Sequence, residues 1–116
     1  MKALLFNGDS RKQIRGFPAL AKQKAGYQLE KVQRGEQPDD FKPMPTIGRG
    51  VEELRIASPD GAFRVVYYAR HENAVYVLHA FQKHTQKTRK ADLDLATARY
   101  RKVIQENAPQ AHPRGL

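Results

Sequence analysis

The chain has no cysteine and no tryptophan among its 116 residues. Without cysteine there is no disulfide framework, thiolate zinc site, iron–sulfur cluster or thiol nucleophile, and the composition fits a reducing compartment. Long apolar runs are missing as well. The longest, beginning at Val75, meets His79 before Ala80, well short of the ~20 apolar residues that span a bilayer. The opening residues 1–6 are too few for a signal peptide. A glycine-rich phosphate loop is also absent, because Gly48 and Gly50 precede a strand-like stretch and lack a following Lys-Ser/Thr pair. Four histidines, His71, His79, His84 and His112, are scattered without partners at ligand spacing, so neither a metal nor another cofactor is expected. Acid is scarce, with 12 Asp+Glu against 21 Lys+Arg and a net charge of +9. These exclusions point to a single cytoplasmic domain over residues 1–116 with a polyanionic partner and no membrane contact.

The cations are unevenly spread. Residues 10–35 hold seven bases (Arg11, Lys12, Arg15, Lys22, Lys24, Lys31, Arg34) against Glu30 alone, and residues 79–102 hold seven (Lys83, Lys87, Arg89, Lys90, Arg99, Arg101, Lys102) against Asp92 and Asp94. Between them, residues 36–60 carry six acids and three bases. Two basic blocks around a more acidic middle attract phosphate, since each Lys or Arg contact releases condensed counterions. The same residues also serve simply to solubilise helix faces.

Residues 2–7 are apolar and end at an Asn7-Gly8-Asp9 turn, which predicts an edge strand. Asp9 or Ser10 is suited to cap a short helix reaching about Phe17. Pro18 is placed to open a second helix that Gly35 stops, with Leu20, Tyr27 and Val32 as its apolar stripe and Ala21, Ala25 and Leu29 beside them. Residues 36–50 hold Pro38, Pro43, Pro45 and Gly48 and read as an ordered loop pinned by Phe41 and Met44. Residues 51–57, 63–69 and 74–81 alternate or are β-branched and aromatic, the first two being joined by a Ser58-Pro59-Asp60-Gly61 turn. This is an antiparallel meander. In its first strand Leu54 and Ile56 point one way while Glu53 and Arg55 point the other. Thr88 is suited to cap a last helix, in which Leu93, Ala96, Tyr100 and Val103 recur at helical spacing until Pro109, with a flexible tail at 109–116. The expected architecture is α+β, order β-α-α-β-β-β-α, with helices packed mainly on one face of a small antiparallel sheet.

One basic constellation falls on the meander. Arg55 lies in the first strand and Arg64 in the second, while Lys83, His84, Gln86 and Lys87 follow the third. Adjacent strands lie about 4.8 Å apart, so these long side chains can converge. Such a cluster suits a phosphorus centre that gains negative charge in its transition state. Arg55 is equally suited to pair with Glu53 or Glu72 across strands, whereas Arg64 sits between apolar neighbours on a face that is not freely solvated. His79, inside an apolar run, is expected to be a core histidine and His84 an exposed one. The neighbouring carboxylates Asp39-Asp40 and Glu52-Glu53 are expected on the loop and strand surface.

The stretches AGYQLEKVQRG (25–35), DDFKPMPTIGRGVEELRI (39–56), FRVVY (63–67), VYVLHAFQKHTQKT (75–88) and ADLDLATARY (91–100) resemble the phage-derived, HigB-like branch of the RelE/ParE toxin superfamily. The similarity runs from about residue 4 to 104. It implies the RelE-like fold, with helices on one side of a four-stranded sheet, and the toxin half of a type II toxin–antitoxin pair. The implied activity is a ribosome-dependent, metal-independent mRNA endoribonuclease, and the alternative within the superfamily is a ParE-like gyrase inhibitor without enzymatic activity. The implied partners are an adjacently encoded helix-turn-helix antitoxin, the ribosome and mRNA. By motif position, the resemblance assigns catalysis to Arg64, Lys83 and Arg55; beside these, His84 is expected to take a proton role, and Lys87, Gln86, Arg89 and Lys90 to contact RNA. Two departures stand out: no tyrosine occurs near the start of the last helix, and His84 replaces a lysine usual in this branch.

Overall fold

The computed structural model describes residues 1–107, so the expected stop at Pro109 and the tail at 109–116 lie outside the described residues. The element order is β1 (Ala3–Phe6), α1 (Ser10–Arg15), α2 (Ala19–Gln33), β2 (Phe41–Pro43), β3 (Val51–Ser58), β4 (Gly61–Tyr68), β5 (Ala74–Lys83) and α3 (Lys90–Asn107). The α+β class and the expected order hold, with one strand added. β2 forms inside the proline-rich loop because Phe41 and Lys42 find the free edge of β3 at Leu54 and Glu53. The sheet runs β1-β5-β4-β3-β2. It is mixed rather than purely antiparallel, since β1 lies parallel to β5 with Leu4 opposite Val75.

Local chemistry explains the joins. Ser58 pairs with Gly61, so Pro59 and Asp60 form a two-residue turn, and the Asp60 amide donates to Ser58 Oγ at 3.2 Å. Gly61 takes φ +126°, a left-handed value that favours glycine. Pro18, at φ −54° and ψ 152°, opens α2, and Gly35 follows its end at φ +79°. Neither expected side-chain cap forms. Asp9 instead accepts from Gln13 and from Arg99 of α3, which holds its carboxyl below the usual carboxylate range, while Thr88 donates to Glu53.

The sheet buries both faces. Against one pack α1 and α2, where Ile14, Phe17, Ala21, Ala25, Leu29 and Val32 meet Leu54, Ile56, Phe63, Val65 and Tyr67. Against the other lies α3, where Ala96 and Val103 meet Met44, Val51, Val66, Leu78 and Phe81. Two of three helices thus share a face, and the third covers the opposite one. The α2 stripe differs from expectation, because Ala21 and Ala25 are buried while Leu20 and Tyr27 point outward at 42% and 54% exposure. Small alanines let the helix backbone approach the sheet closely, which the larger residues would prevent. Along β5, Val66 pairs with His79 but Tyr67 pairs with Val77. Leu78 is therefore a bulge, and both Leu78 and His79 turn toward α3.

Gly26 interrupts the exposed side of α2, and a Cβ built there meets nothing within 4 Å. Glycine inside a helix costs roughly 0.5–1 kcal/mol relative to alanine. Gly26→Ala should therefore stabilise the protein by about that amount. An upward shift in the urea midpoint at unchanged slope checks this.

Candidate functional site

The α3 face of the sheet carries the charged residues. On β3, Glu53 and Arg55 share this face with Val51, and on β4 Arg64 lies directly opposite Arg55. Like charges facing across strands repel, so the register places two guanidinium groups where packing alone would not put them. Arg55 is exposed and makes no ion pair among the described residues, so the alternative pairing with Glu53 or Glu72 does not form. Glu53 belongs to Arg64 instead.

Glu53 is the residue that sequence reasoning missed. Its strand alternation suggested a surface carboxylate, yet it is 2% exposed. Its Oε1 lies 3.5 Å from Arg64 Nε, and its Oε2 accepts from Thr88 Oγ1 at 3.2 Å. Arg64 is itself buried and donates from Nη1 to the Phe63 carbonyl at 3.0 Å, while its Nε has no hydrogen-bond partner. Burial lowers the pKa of Arg64 from its ordinary value, with Glu53 pulling it up and Arg55 pushing it down. The side chain remains a cation. Glu52, the sequence neighbour, faces the other way and accepts from the buried Tyr67 hydroxyl at 2.7 Å; burial, and then this bond, raise the tyrosine pKa far above its usual value.

Above the Glu53–Arg64 pair opens a groove of about 280 Å³, lined by Lys42, Glu53, Arg55, Lys83, Gln86 and Lys87 with Met44, Thr46, Thr88 and Leu93. Four cations and one carboxylate surround it. The structure thus brings together Arg55, Lys83, Gln86 and Lys87 and adds Lys42 from the β2 edge, whereas Arg64 is not part of the lining and adjoins it through its ion pair with Glu53. It does not bring in the rest of the expected set. His84 is exposed one residue beyond β5 and outside the groove lining. Arg89 turns to Asp92 at 3.3 Å, and Lys90 pairs with Asp94 at 2.8 Å on the solvent side of α3. A larger hollow of about 750 Å³, at Met1, Gln33, Gly35 and Asn73, contains none of the expected site residues.

The segment 84–89 that borders the groove is anchored at its far end by a buried pair. His79 Nε2–H donates to Asp92 Oδ1 at 2.7 Å, both residues being buried, and the imidazole stacks on Phe81 with centroids 5.1 Å apart. His79 is the expected core histidine, although its Nδ1 is buried without a partner. Asp92→Ala would leave both imidazole nitrogens unpaired, at a cost of about 1–3 kcal/mol. The expected readout is a lower urea midpoint together with loosening of residues 84–89 in amide exchange. Among the described residues no group of three or more His, Asp or Glu converges as a metal site, and no helix is long and apolar enough to cross a membrane.

A family model described as "Phage derived protein Gp49-like (DUF891)" matches residues 12–101. No curated protein matches the sequence significantly. Among solved structures, a double arginine-to-alanine mutant of the E. coli toxin RelE in the free state is similar at TM-score 0.57 and 15% identity, covering 91% of this chain and 97% of that one. The isolated E. coli RelE toxin in a P21 crystal form is similar at TM-score 0.55 and 15% identity, with 91% and 98% covered. At this identity the likeness establishes a RelE-like fold.

Proposed function

The chain belongs to the phage-derived Gp49-like family, and from that premise we propose that it is the toxin of a type II toxin–antitoxin pair, HigB-like in its finer placement, which cleaves mRNA on the ribosome. The observation that carries this reading is the facing Arg55–Arg64 pair beside a groove that adds Lys42, Lys83 and Lys87. Like charges accumulated around one hollow suit the pentacoordinate phosphorus of RNA transesterification. In that reaction the 2′-oxygen bonds to the adjacent phosphorus and loses its proton. The bond to the 5′-oxygen breaks, leaving a 2′,3′-cyclic phosphate, and the departing oxygen takes up a proton.

Arg55 and Lys83 contact the non-bridging oxygens, Arg64 adds charge from beneath, and Gln86 and Lys87 hold the neighbouring backbone. Arg89 and Lys90 extend the positive surface outside the groove. His84, next in sequence to Lys83, stays outside the groove lining and takes no part in this arrangement. The ribosome supplies in-line orientation, which accounts for much of such a barrier. In the cytoplasm an antitoxin with an acidic segment would find a complementary surface on α1 and α2, where Arg11, Lys12 and Arg15 are exposed.

The test is induced expression in growing cells with 5′-end mapping of mRNA on translating ribosomes, alongside a gyrase supercoiling assay with purified protein. Cuts confined to translated mRNA are expected. Loss of supercoiling without mRNA cuts would replace this reading with the gyrase inhibitor.

A further inference from the structure

A second groove joins the first through Arg55. It has a volume of about 400 Å³, lies between α2 and the edge of the sheet, and is lined by Lys24, Tyr27, Gln28, Asp39, Asp40 and Arg55 together with Ile56 and Ala57. Arg55 lines both grooves, so a chain whose phosphate rests at Lys83 and Arg55 continues into this hollow with its next nucleotide. We infer that the groove between α2 and β3 is a nucleotide-binding subsite, in which Tyr27 stacks on the unpaired base flanking the scissile phosphate.

Four observations support it. Tyr27 is 54% exposed, an unusual state for an aromatic on a helix whose other face builds the core. Lys31 Nζ sits 5.7 Å from the ring centroid and is fixed by Asp39 at 2.8 Å, so a cation backs the ring and leaves over half of the residue open. Lys24 reaches across the groove floor to the Ala57 carbonyl at 2.7 Å, which occupies the β3 edge where β2 has ended and keeps a positive charge there. Asp39 is fully engaged by Lys31 and Gln28, but Asp40 makes no ion pair among the described residues. The lining holds two cations, Lys24 and Arg55, and two carboxylates, and a free carboxylate repels phosphate yet accepts from the amino or imino groups of a base edge, as acidic side chains do for cytosine. An open ring, a lone acceptor and flanking cations are parts with which proteins hold single-stranded RNA. This subsite rests on the ribonuclease reading above, because its occupant is the same RNA chain.

The experiment is fluorescence anisotropy of the full-length protein at low salt with a labelled single-stranded RNA heptamer, 2′-deoxy at its centre to prevent cleavage. Two further heptamers carry an abasic site on one or the other side of that centre. Base–aromatic stacking is worth about 1–3 kcal/mol, so Tyr27→Ala should weaken binding of the intact heptamer by roughly 5- to 150-fold, while Tyr27→Phe should bind like the parent protein. One abasic heptamer should bind the parent protein more weakly by a similar factor, and Tyr27→Ala should not distinguish it from the intact RNA. Equal binding by the parent and Tyr27→Ala, with the parent binding RNA well, would overturn the subsite and leave the ribonuclease reading standing. No RNA binding by the parent protein would overturn the subsite, while the ribonuclease reading stands or falls on the mapping of cuts on translating ribosomes. Unchanged RNA binding with lost association to the neighbouring gene's product would give the groove to a protein partner and overturn the subsite.

Discussion

Arg64→Lys should lower mRNA cleavage on translating ribosomes by about 10²- to 10³-fold while the protein stays folded, the loss typical of removing one transition-state donor. The reason lies in what each substitution leaves behind. Arg64→Ala strips the partner from Glu53, which is 2% exposed, and so mixes a folding defect with a catalytic one. Lysine keeps a positive charge opposite that carboxylate but loses the planar fork whose remaining donors can reach a phosphate. Arg64 already gives Nη1 to the Phe63 carbonyl, so the fork's orientation is set before substrate arrives. Lys83→Ala should cost less, because Lys42, Arg55 and Lys87 share the same groove. Normal cleavage by a folded Arg64→Lys protein would remove Arg64 from the reacting centre.

How much of this was legible in the sequence follows from which contacts are local. The meander was readable because strand alternation and the Ser58-Pro59-Asp60-Gly61 turn act within a few residues, and its register brings Arg55 to Arg64. The approach of Lys83 follows from the same register, whereas Gln86 and Lys87 lie beyond β5 and reach the groove through the segment that Thr88 ties to Glu53. Glu53 was not readable, because its burial depends on Thr88 and on α3 crossing a sheet face that alternation alone would leave to solvent. Its signal was faint: an acid on the same strand face as Val51, whose burial implied a cover. The outward turn of Leu20 and Tyr27 was hidden for a related reason, since hydrophobicity ranks them above Ala21 and Ala25 while close packing on the sheet favours the smaller pair. Nor does any short-range signal announce β2, whose three residues with Pro43 pair by virtue of the free edge of β3.

Glu53→Ala should be the most destabilising single substitution in the site, at about 3–5 kcal/mol, because it leaves a buried guanidinium without a counter-charge. Its side chain also anchors Thr88, so the segment carrying Gln86 and Lys87 loosens with it. A buried ion pair is weak evidence for stability, however, since apolar residues of similar volume often serve as well or better. That asymmetry separates two roles for the pair. The double variant Glu53→Leu with Arg64→Met should recover most of the stability lost in Glu53→Ala, read as the urea midpoint, while cleavage remains about 10²-fold or more below the parent. Recovery of both would make the pair a packing element with no part in the chemistry. Recovery of stability alone leaves the arginine where it is for the phosphate, with Glu53 as the carboxylate that holds its guanidinium in place beneath the groove.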